Sequence, residues 1–424
     1  MLRTITTLSR FHTSYSLPPG YIQPRPNPQD EIVISMSSGV DSSVSALLYS
    51  QKYEHVRGIF MANWSSSADG HVGSACNRDD GQKGKNSSCS VDQDWDEVQA
   101  TCSQLRIPCE RVNFEKEYWT DVFEPMLEMY SKGLTPNPDV GCNKYIKFGK
   151  MIEHLQSYYE RRQLLSSSKW WLVTGHYARV LQKESTGEFQ LFRAGYKPKD
   201  QSYYLSQIPE SVLGRILLPM GHHTKPEVRR MAGENGLVTR DKPDSQGLCF
   251  VSPSVKFDDF LDEYIEANPG DIVDTSGKIW GRHRGLWHGT IGQRSGISMP
   301  QGDPRYKGVW LISDKDIDRN RMIISRKDDR EAFIKRRIEV QDWHWMNAGL
   351  KIGEVAKGRS LNAQIRSLQQ PSKVIRVIQK QQNPEQLVVD VEDGIFGVAP
   401  GQDLVLYDGD RVLGCGMISG QALG

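Results

Sequence analysis

No run of about 18 apolar residues occurs in the 424-residue chain, so the sequence predicts no membrane span. No Cys-x-x-Cys pair occurs either. The seven cysteines (Cys76, Cys89, Cys102, Cys109, Cys142, Cys249 and Cys415) are odd in number and scattered. That argues against a structural zinc site or a disulfide scaffold, and for reduced thiols in an intracellular compartment. Neither sign of charge dominates, with 53 Lys+Arg against 52 Asp+Glu. A nucleic acid would have to be met by local basic patches, of which Arg161-Arg162, Lys197 with Lys199, Arg229-Arg230, Arg282 to Arg284 and Lys335-Arg336-Arg337 are candidates. No internal repeat is visible. No acidic residue precedes Asp30, while "MLRTITTLSRFHTSYS" carries Arg3, Arg10 and His12 among many Ser and Thr. That composition fits a mitochondrial transit peptide over residues 1–29, or else a disordered tail, better than a secretory signal.

From Asp30 to about Leu218, strand and helix patterns alternate. "EIVISM", "HVRGIFMAN", "CERVNF" and "WWLVTGH" read as buried strands; "VDSSVSALLYS", "WDEVQATCSQLR", "EYWTDVFEPMLEMY" and "KYIKFGKMIEHLQ" read as helices. This is a βαβ series, which implies a mainly parallel sheet with helices on both faces and ligands at the strands' carboxyl ends. Ser65 to Asp92 is polar and reads as a long loop. Residues 219–287 read as a smaller helical or mixed domain. Residues 288–424 read as short strands with hairpins at "VWLISDKDIDRNRMIISR", "KVIRVIQKQQNPEQLVVDV" and "DLVLYDGDRVLGCGMIS", the signature of a small β-barrel.

The first strand runs straight into "SSGVDSS" and a helix. Two readings fit. Ser, Gly and Asp at such a junction can simply cap a helix. They can also cradle an anion, since free N–H groups and the positive end of the helix dipole meet there. The stretch is no Walker A loop, because it lacks the Gly-Lys-Ser/Thr end. It resembles the pyrophosphate loop of the adenine nucleotide alpha-hydrolases, written Ser-Gly-Gly-x-Asp-Ser, with Ser38 in place of the middle Gly. The resemblance implies ATP at Ser37 to Ser42 and Mg²⁺ at Asp41, a hard cation taking oxygen ligands.

Two later stretches each set one cysteine among turn-forming polar residues: "GLTPNPDVGCNKYIKFG", from Gly133, and "DKPDSQGLCFV", from Asp241. Cys142 is expected at a helix start, where the dipole lowers a thiol pKa. Two reactive cysteines about a hundred residues apart suit sulfur transfer, one carrying sulfane sulfur and the other resolving it.

With these motifs together, the chain resembles the tRNA-specific 2-thiouridylases, specifically their mitochondrial members. "FMANW", "VNFEKEYW", "TGHYARV", "KDQSYYLSQ", "TKPEVRRMA", "DSQGLCF", "NPGDIVDTSGK", "TIGQRSGI" and "APGQDLVLYDG" follow that family's order from about Glu31 to Ile418. The resemblance implies a doubly wound pyrophosphate-loop domain over 30–218, a central tRNA-binding domain over 219–287 and a C-terminal β-barrel over 288–424. It implies ATP at Ser35, Met36, Ser37, Ser38, Gly39, Val40, Asp41, Ser42, Met61 and Gly175. Asn137, Pro138 and Asp139 would meet the target uridine, with Asp139 as general acid/base. Cys249 would carry the persulfide and Cys142 would be the partner nucleophile, the two ending in a transient disulfide. His176, Lys199, Asp200, Gln201, Arg366 and Gln402 would contact tRNA.

The activity implied is ATP-dependent 2-thiolation of the wobble uridine of mitochondrial tRNAs for Lys, Glu and Gln, in the matrix, by a monomer fed by a sulfur-relay donor protein. Three features depart from the family pattern: Ser38, Ala62 where Lys is common, and one extra residue in "IRSLQQP" near Arg366. The alternatives are another pyrophosphate-loop ligase of the amidotransferase type and a catalytically degenerate tRNA-binding protein.

Overall fold

A computed structural model describes residues 15–64, 90–162, 168–244, 250–251, 255–347 and 360–420. Cys76, Cys89, Cys249 and nearly all of the expected 65–92 loop lie outside the described residues; the helix that follows that loop starts at Ser90.

The first domain is built on a five-stranded sheet ordered Cys109–Asn113, Val56–Ala62, Glu31–Met36, Trp170–Val173, Ile216–Leu217, with every pairing parallel. Ile32, Val33 and Ile34 are fully buried. An unbroken apolar run suits such a strand because helices cover both faces. The chain winds outward from Glu31–Met36 in one direction and then returns to the other side. The switch point therefore lies between Glu31–Met36 and Trp170–Val173, the place beyond the strand ends where sheets of this kind take their ligands. The buried Asp30 carboxylate fixes the start of this strand pair, accepting from the Lys169 amide at 2.9 Å and from Trp171 Nε1 at 2.8 Å.

Residues 219–244, which the sequence places in the central domain, pack on the first. Val228, Ala232 and Leu237 share a buried cluster with Val40, Val44 and Leu47 of the helix Val40–Ser50. The central sheet has four strands, ordered Ile279–His283, Gly270–Asp274, Arg321–Arg326, Trp310–Asp316. The expected hairpin of Trp310–Asp316 with Arg321–Arg326 is present, but Arg321–Arg326 pairs in parallel with Gly270–Asp274 and not with the C-terminal barrel. The barrel thus begins near Ile334, not at 288. The parallel partner lies some fifty residues upstream, which hairpin spacing does not reveal.

The C-terminal strands Ile334–Trp345, Leu387–Phe396, Ser372–Gln379, Leu361–Gln364, Asp403–Asp408 and Arg411–Ile418 close on themselves through antiparallel pairings. Closure leaves no open edge in that ring. The hairpin Ala178–Lys183 with Phe189–Arg193 connects barrel and first domain, its Phe192 opposite Arg411. Tyr21–Ile22 adds to the hairpin's outer strand, and Tyr21 donates to Gln190 Oε1 at 2.7 Å. Part of the segment assigned to a leader by composition therefore lies along the body.

Candidate active site at the sheet switch point

The loop after Glu31–Met36 is held by its own hydroxyls. Ser42 Oγ accepts from the Ser37 amide at 3.2 Å and donates to the Gly39 carbonyl at 3.0 Å. Ser43 and Ser45 also turn back, onto the carbonyls of Gly39 and Asp41. Gly39 is the N-cap, and no side chain caps the helix. The first-turn amides are therefore open to an anion, at the positive end of the helix dipole.

Ser38 has φ of +57°, a left-handed conformation that costs a non-glycine residue roughly 1–2 kcal/mol. Its hydroxyl offsets part of that cost by donating to Asp94 Oδ1 at 2.5 Å and accepting from Lys242 Nζ at 2.9 Å. Lys242 also meets Asp94 at 3.0 Å and Glu97 at 2.5 Å. The replacement of Gly by Ser has thus become a cross-link from the loop to the helix Ser90–Leu105 and to the stretch leading to Cys249.

Across the crevice, Gly175 sits against the loop: a Cβ there would stand 2.9 Å from the Ser42 nitrogen. Next to it, His176 Nδ1 bonds Thr174 Oγ1 at 2.7 Å and the ring lies 5.8 Å from Phe148. Burial, aided by Lys147, pushes the His176 pKa down to about 3, so the imidazole is neutral at pH 7.

Asp41 faces a cation. Lys225 Nζ is 2.8 Å from both Asp41 carboxylate oxygens, and Tyr177 OH donates to Oδ1 at 2.9 Å. Lys225 also reaches Asp244 at 2.9 Å, a carboxylate shared with Lys199 at 2.6 Å and Arg229 at 2.5 Å. Burial raises the Asp244 carboxyl, but bonds from Lys199, Lys225 and Arg229 outweigh it and hold the group well below its usual range. Both Asp41 carboxylate oxygens thus serve an ammonium in this arrangement. Among the described residues, no three His, Cys, Asp or Glu side chains are grouped to hold a metal.

The segment after Gly133 leads into one continuous helical run. Asn137 caps it, its side chain accepting from the Asp139 amide at 3.1 Å, and Pro138 occupies the first turn. The helix then widens to π geometry over Cys142–Lys150 before returning to α over Met151–Arg161. Cys142 lies one turn inside the helix rather than at its start, and is buried. Burial raises the Asp139 carboxyl pKa, with Lys147 opposing.

Phe250, the residue after Cys249, is buried with its ring 5.7 Å from Trp64 and 5.3 Å from Phe123. Cys142, Val140, Phe123 and Phe250 belong to one hydrophobic cluster, and Met61 packs against it. Phe250 is therefore anchored in the same hydrophobic cluster as Cys142.

Of the residues assigned to tRNA, Lys199 is half-exposed beside Asp244. Asp200 points inward, accepting from the Ala194 amide at 2.8 Å and from Ser202 Oγ at 2.9 Å. Gln201 brackets Tyr177 through paired bonds of 2.7 and 2.9 Å. Arg366 ties the barrel to the central domain, donating to the carbonyls of Gly397 and Ile291 at 2.7 and 3.2 Å. Gln402 donates to the Thr135 carbonyl at 2.7 Å, fastening the barrel to the segment before Asn137.

Sequence reasoning assigned no role to Lys225, Tyr177, Asp94, Lys242 or Asp244. The only local signal was the reciprocal capping box that starts Lys225–Glu234. Thr224 Oγ1 accepts from the Glu227 amide, and Glu227 accepts from the Thr224 amide. It marks a helix start but says nothing of what the helix faces.

This combination defines a class: a nucleotide-binding α/β domain of the HUP type, followed by two β domains. Accordingly, the family described as "tRNA methyl transferase HUP domain" matches residues 30–253, "tRNA methyl transferase PRC-barrel domain" matches 258–326 and "Aminomethyltransferase beta-barrel domain" matches 335–418. The chain is 44% identical to mitochondrial tRNA-specific 2-thiouridylase 1 of Saccharomyces cerevisiae, over 92% of each chain. It is 37% identical to the protein of the same name in Schizosaccharomyces pombe, over 93% of this chain and 91% of that one. It is 34% identical to tRNA-specific 2-thiouridylase MnmA of Limosilactobacillus reuteri, over 92% and 96%. The chain belongs to the tRNA-specific 2-thiouridylase family, as its motifs led us to expect.

Proposed function

We propose that the chain thiolates carbon 2 of the wobble uridine, position 34, in mitochondrial tRNAs for Lys, Glu and Gln, using ATP in the mitochondrial matrix. The observation that carries this reading is the pair Gly175–His176: Gly175 packs against the uncapped phosphate loop, and the His176 ring lies 5.8 Å from Phe148 of the helical run that bears Asp139 and Cys142. The relatives' names supply the tRNA, the reaction and the organelle.

In this reading Ser35 to Ser42, with Met61 and Gly175, hold ATP. The uridine C2 oxygen attacks the α-phosphorus and pyrophosphate leaves. The base must be flipped out of its stack to reach the site. Asn137 and Pro138 shape the turn that receives it. Asp139, with its raised pKa, holds or moves a proton at the base. The terminal sulfur of a Cys249 persulfide attacks C2 and AMP leaves. The Cys142 thiolate then attacks Cys249 Sγ, forming the disulfide and releasing the thiocarbonyl. An external reductant returns two electrons to that disulfide, and a sulfur-relay protein reloads Cys249. His176, Lys199, Gln201, Arg366 and Gln402 support the tRNA, with Asp200 bracing its neighbours from within. The chain acts as a monomer. Mg²⁺ enters this scheme only as an ion carried by the nucleotide.

The test is a thiolation assay on a tRNA(Lys) transcript with ATP and a persulfide as sulfane-sulfur donor, read by mobility shift in a mercury-containing gel. A shift that requires ATP, Cys142 and Cys249 is expected. Thiolation that survives Cys249→Ser sinks the persulfide role. AMP release without a shift would favour a ligase of another type, and tRNA binding without AMP release a degenerate site.

A further inference from the structure

Resting on the ATP-binding reading above, we propose that Lys225 is a phosphate-binding residue of this site and that Asp41 acts as its positioning residue rather than as the ligand of a divalent cation. Lys225 is the first residue of the helix Lys225–Glu234 and is only 9% exposed. Its place is set twice. The capping box of Thr224 and Glu227 fixes where the helix begins. The cluster of Val228 and Ala232 with Val40 and Val44 clamps this helix to the one that follows the phosphate loop. The Lys225 stem runs past the Tyr177 ring, with Nζ 5.7 Å from its centroid.

Among the described residues, that ammonium meets carboxylate oxygens: both of Asp41 at 2.8 Å and Asp244 Oδ1 at 2.9 Å. Asp41 lies in the first turn of Val40–Ser50, so it delivers the charge to the side of the open amides. A phosphate oxygen is the same kind of acceptor for an ammonium as a carboxylate oxygen. Asp244 is the partner that can be given up. It keeps Lys199 and Arg229 when Lys225 turns away, so no carboxylate is left unpaired. Asp41 keeps Tyr177 OH and continues to aim the lysine. The site thus carries its own cation, and exchanging Asp244 for a phosphate oxygen conserves the number of charge-assisted bonds on Lys225.

The experiment is titration calorimetry on the full chain with a non-hydrolysable ATP analogue and with adenosine, each in EDTA and in Mg²⁺. The variants are Lys225→Gln, Lys225→Arg and Asp41→Asn, with tRNA affinity as the folding control. Loss of one charge-assisted bond predicts about a ten- to hundredfold weaker analogue affinity in Lys225→Gln, with adenosine unchanged. Lys225→Arg should recover most of the loss. Asp41→Asn should weaken the analogue in EDTA as well as in Mg²⁺. Wild-type affinity in Lys225→Gln would overturn the proposal, as would an Asp41→Asn loss confined to Mg²⁺. If Lys225→Gln does not fold, the Lys225→Arg and Asp41→Asn arms decide. A wild-type protein that binds the analogue no better than adenosine refutes the ATP reading itself, a different failure from one confined to the variants.

Discussion

A methyl group on Gly175 would stand 2.9 Å from the amide nitrogen of Ser42 and 3.1 Å from the Asp41 carbonyl carbon. The end of one central strand and the first helical turn after its neighbour are therefore packed backbone to backbone. A side chain at 175 has to displace the phosphate loop.

Gly175→Ala should raise the KM for ATP at least about tenfold, as expected when a binding geometry shifts by a few tenths of an ångström. Affinity for tRNA should change little. Steady-state pyrophosphate release, with tRNA saturating, reads the first; filter binding reads the second. An unchanged KM would mean that the loop can yield without loss.

Ser38 separates strain from bonding. Ser38→Ala keeps the left-handed backbone at φ +57° and loses the bonds to Asp94 and Lys242, so it should destabilise the first domain by about 1–2 kcal/mol. Ser38→Gly loses the same bonds but relieves the strain, and should be more stable than the Ala variant by about 1 kcal/mol. Urea denaturation of both variants measures the difference. Equal stabilities would show that the loop is not strained there.

Asp403 makes the pH prediction. The carboxyl is buried between barrel and first domain, accepting from Gln207 Nε2 at 2.5 Å, and burial pushes its pKa up to about 6. A carboxyl raised on folding favours the protonated folded state. It therefore carries no penalty below the unfolded value near 4, and its full penalty above about 6. Stability should fall across that window as pH rises, by an amount on the order of 2–3 kcal/mol from this group. Asp403→Asn, which still accepts from Gln207, should be more stable than wild type at pH 7.5 and show a flatter profile between pH 4 and 6. Thermal melts at a series of pH values test both statements.

Gln402 reports on how the barrel serves the first domain. Gln402→Ala removes the bond to the Thr135 carbonyl and should lower kcat/KM for tRNA about five- to tenfold, the equivalent of one hydrogen bond. ATP affinity should stay within about twofold. A matching loss of ATP affinity would mean the barrel braces the whole crevice rather than the 135–139 segment alone.

Much was legible in the residues because it rests on local pattern. Ile32 to Ile34 read as a buried strand and are one, since a parallel central strand excludes water on both sides. The three hairpins expected after residue 288 read correctly from turn residues and strand spacing, although the first belongs to the central sheet and not to the barrel. The helix containing Cys142 was expected, but not its one-turn lead-in by Pro138–Gly141 or its π geometry. Those depend on how the helix seats against its neighbours. The parallel pairing of Arg321–Arg326 with Gly270–Asp274 was also missed, because it joins distant segments and leaves no periodic trace.

The sequence by itself determined the strand–loop–helix of Glu31 to Ser50, the turn-forming residues that flank Cys142 and Cys249 along the chain, and the order of motifs that marks the family. These are consequences of backbone preference and hydrophobic period, which act within a few residues. Only the tertiary structure decided that Lys225 would stand on Asp41, that Ser38 would bond Asp94 and Lys242, and that Gln402 would hold Thr135. Such pairs join residues about 55 to 270 positions apart. A lone Lys or Asp reads as solvated surface until the packing of apolar faces elsewhere brings its partner within bonding distance.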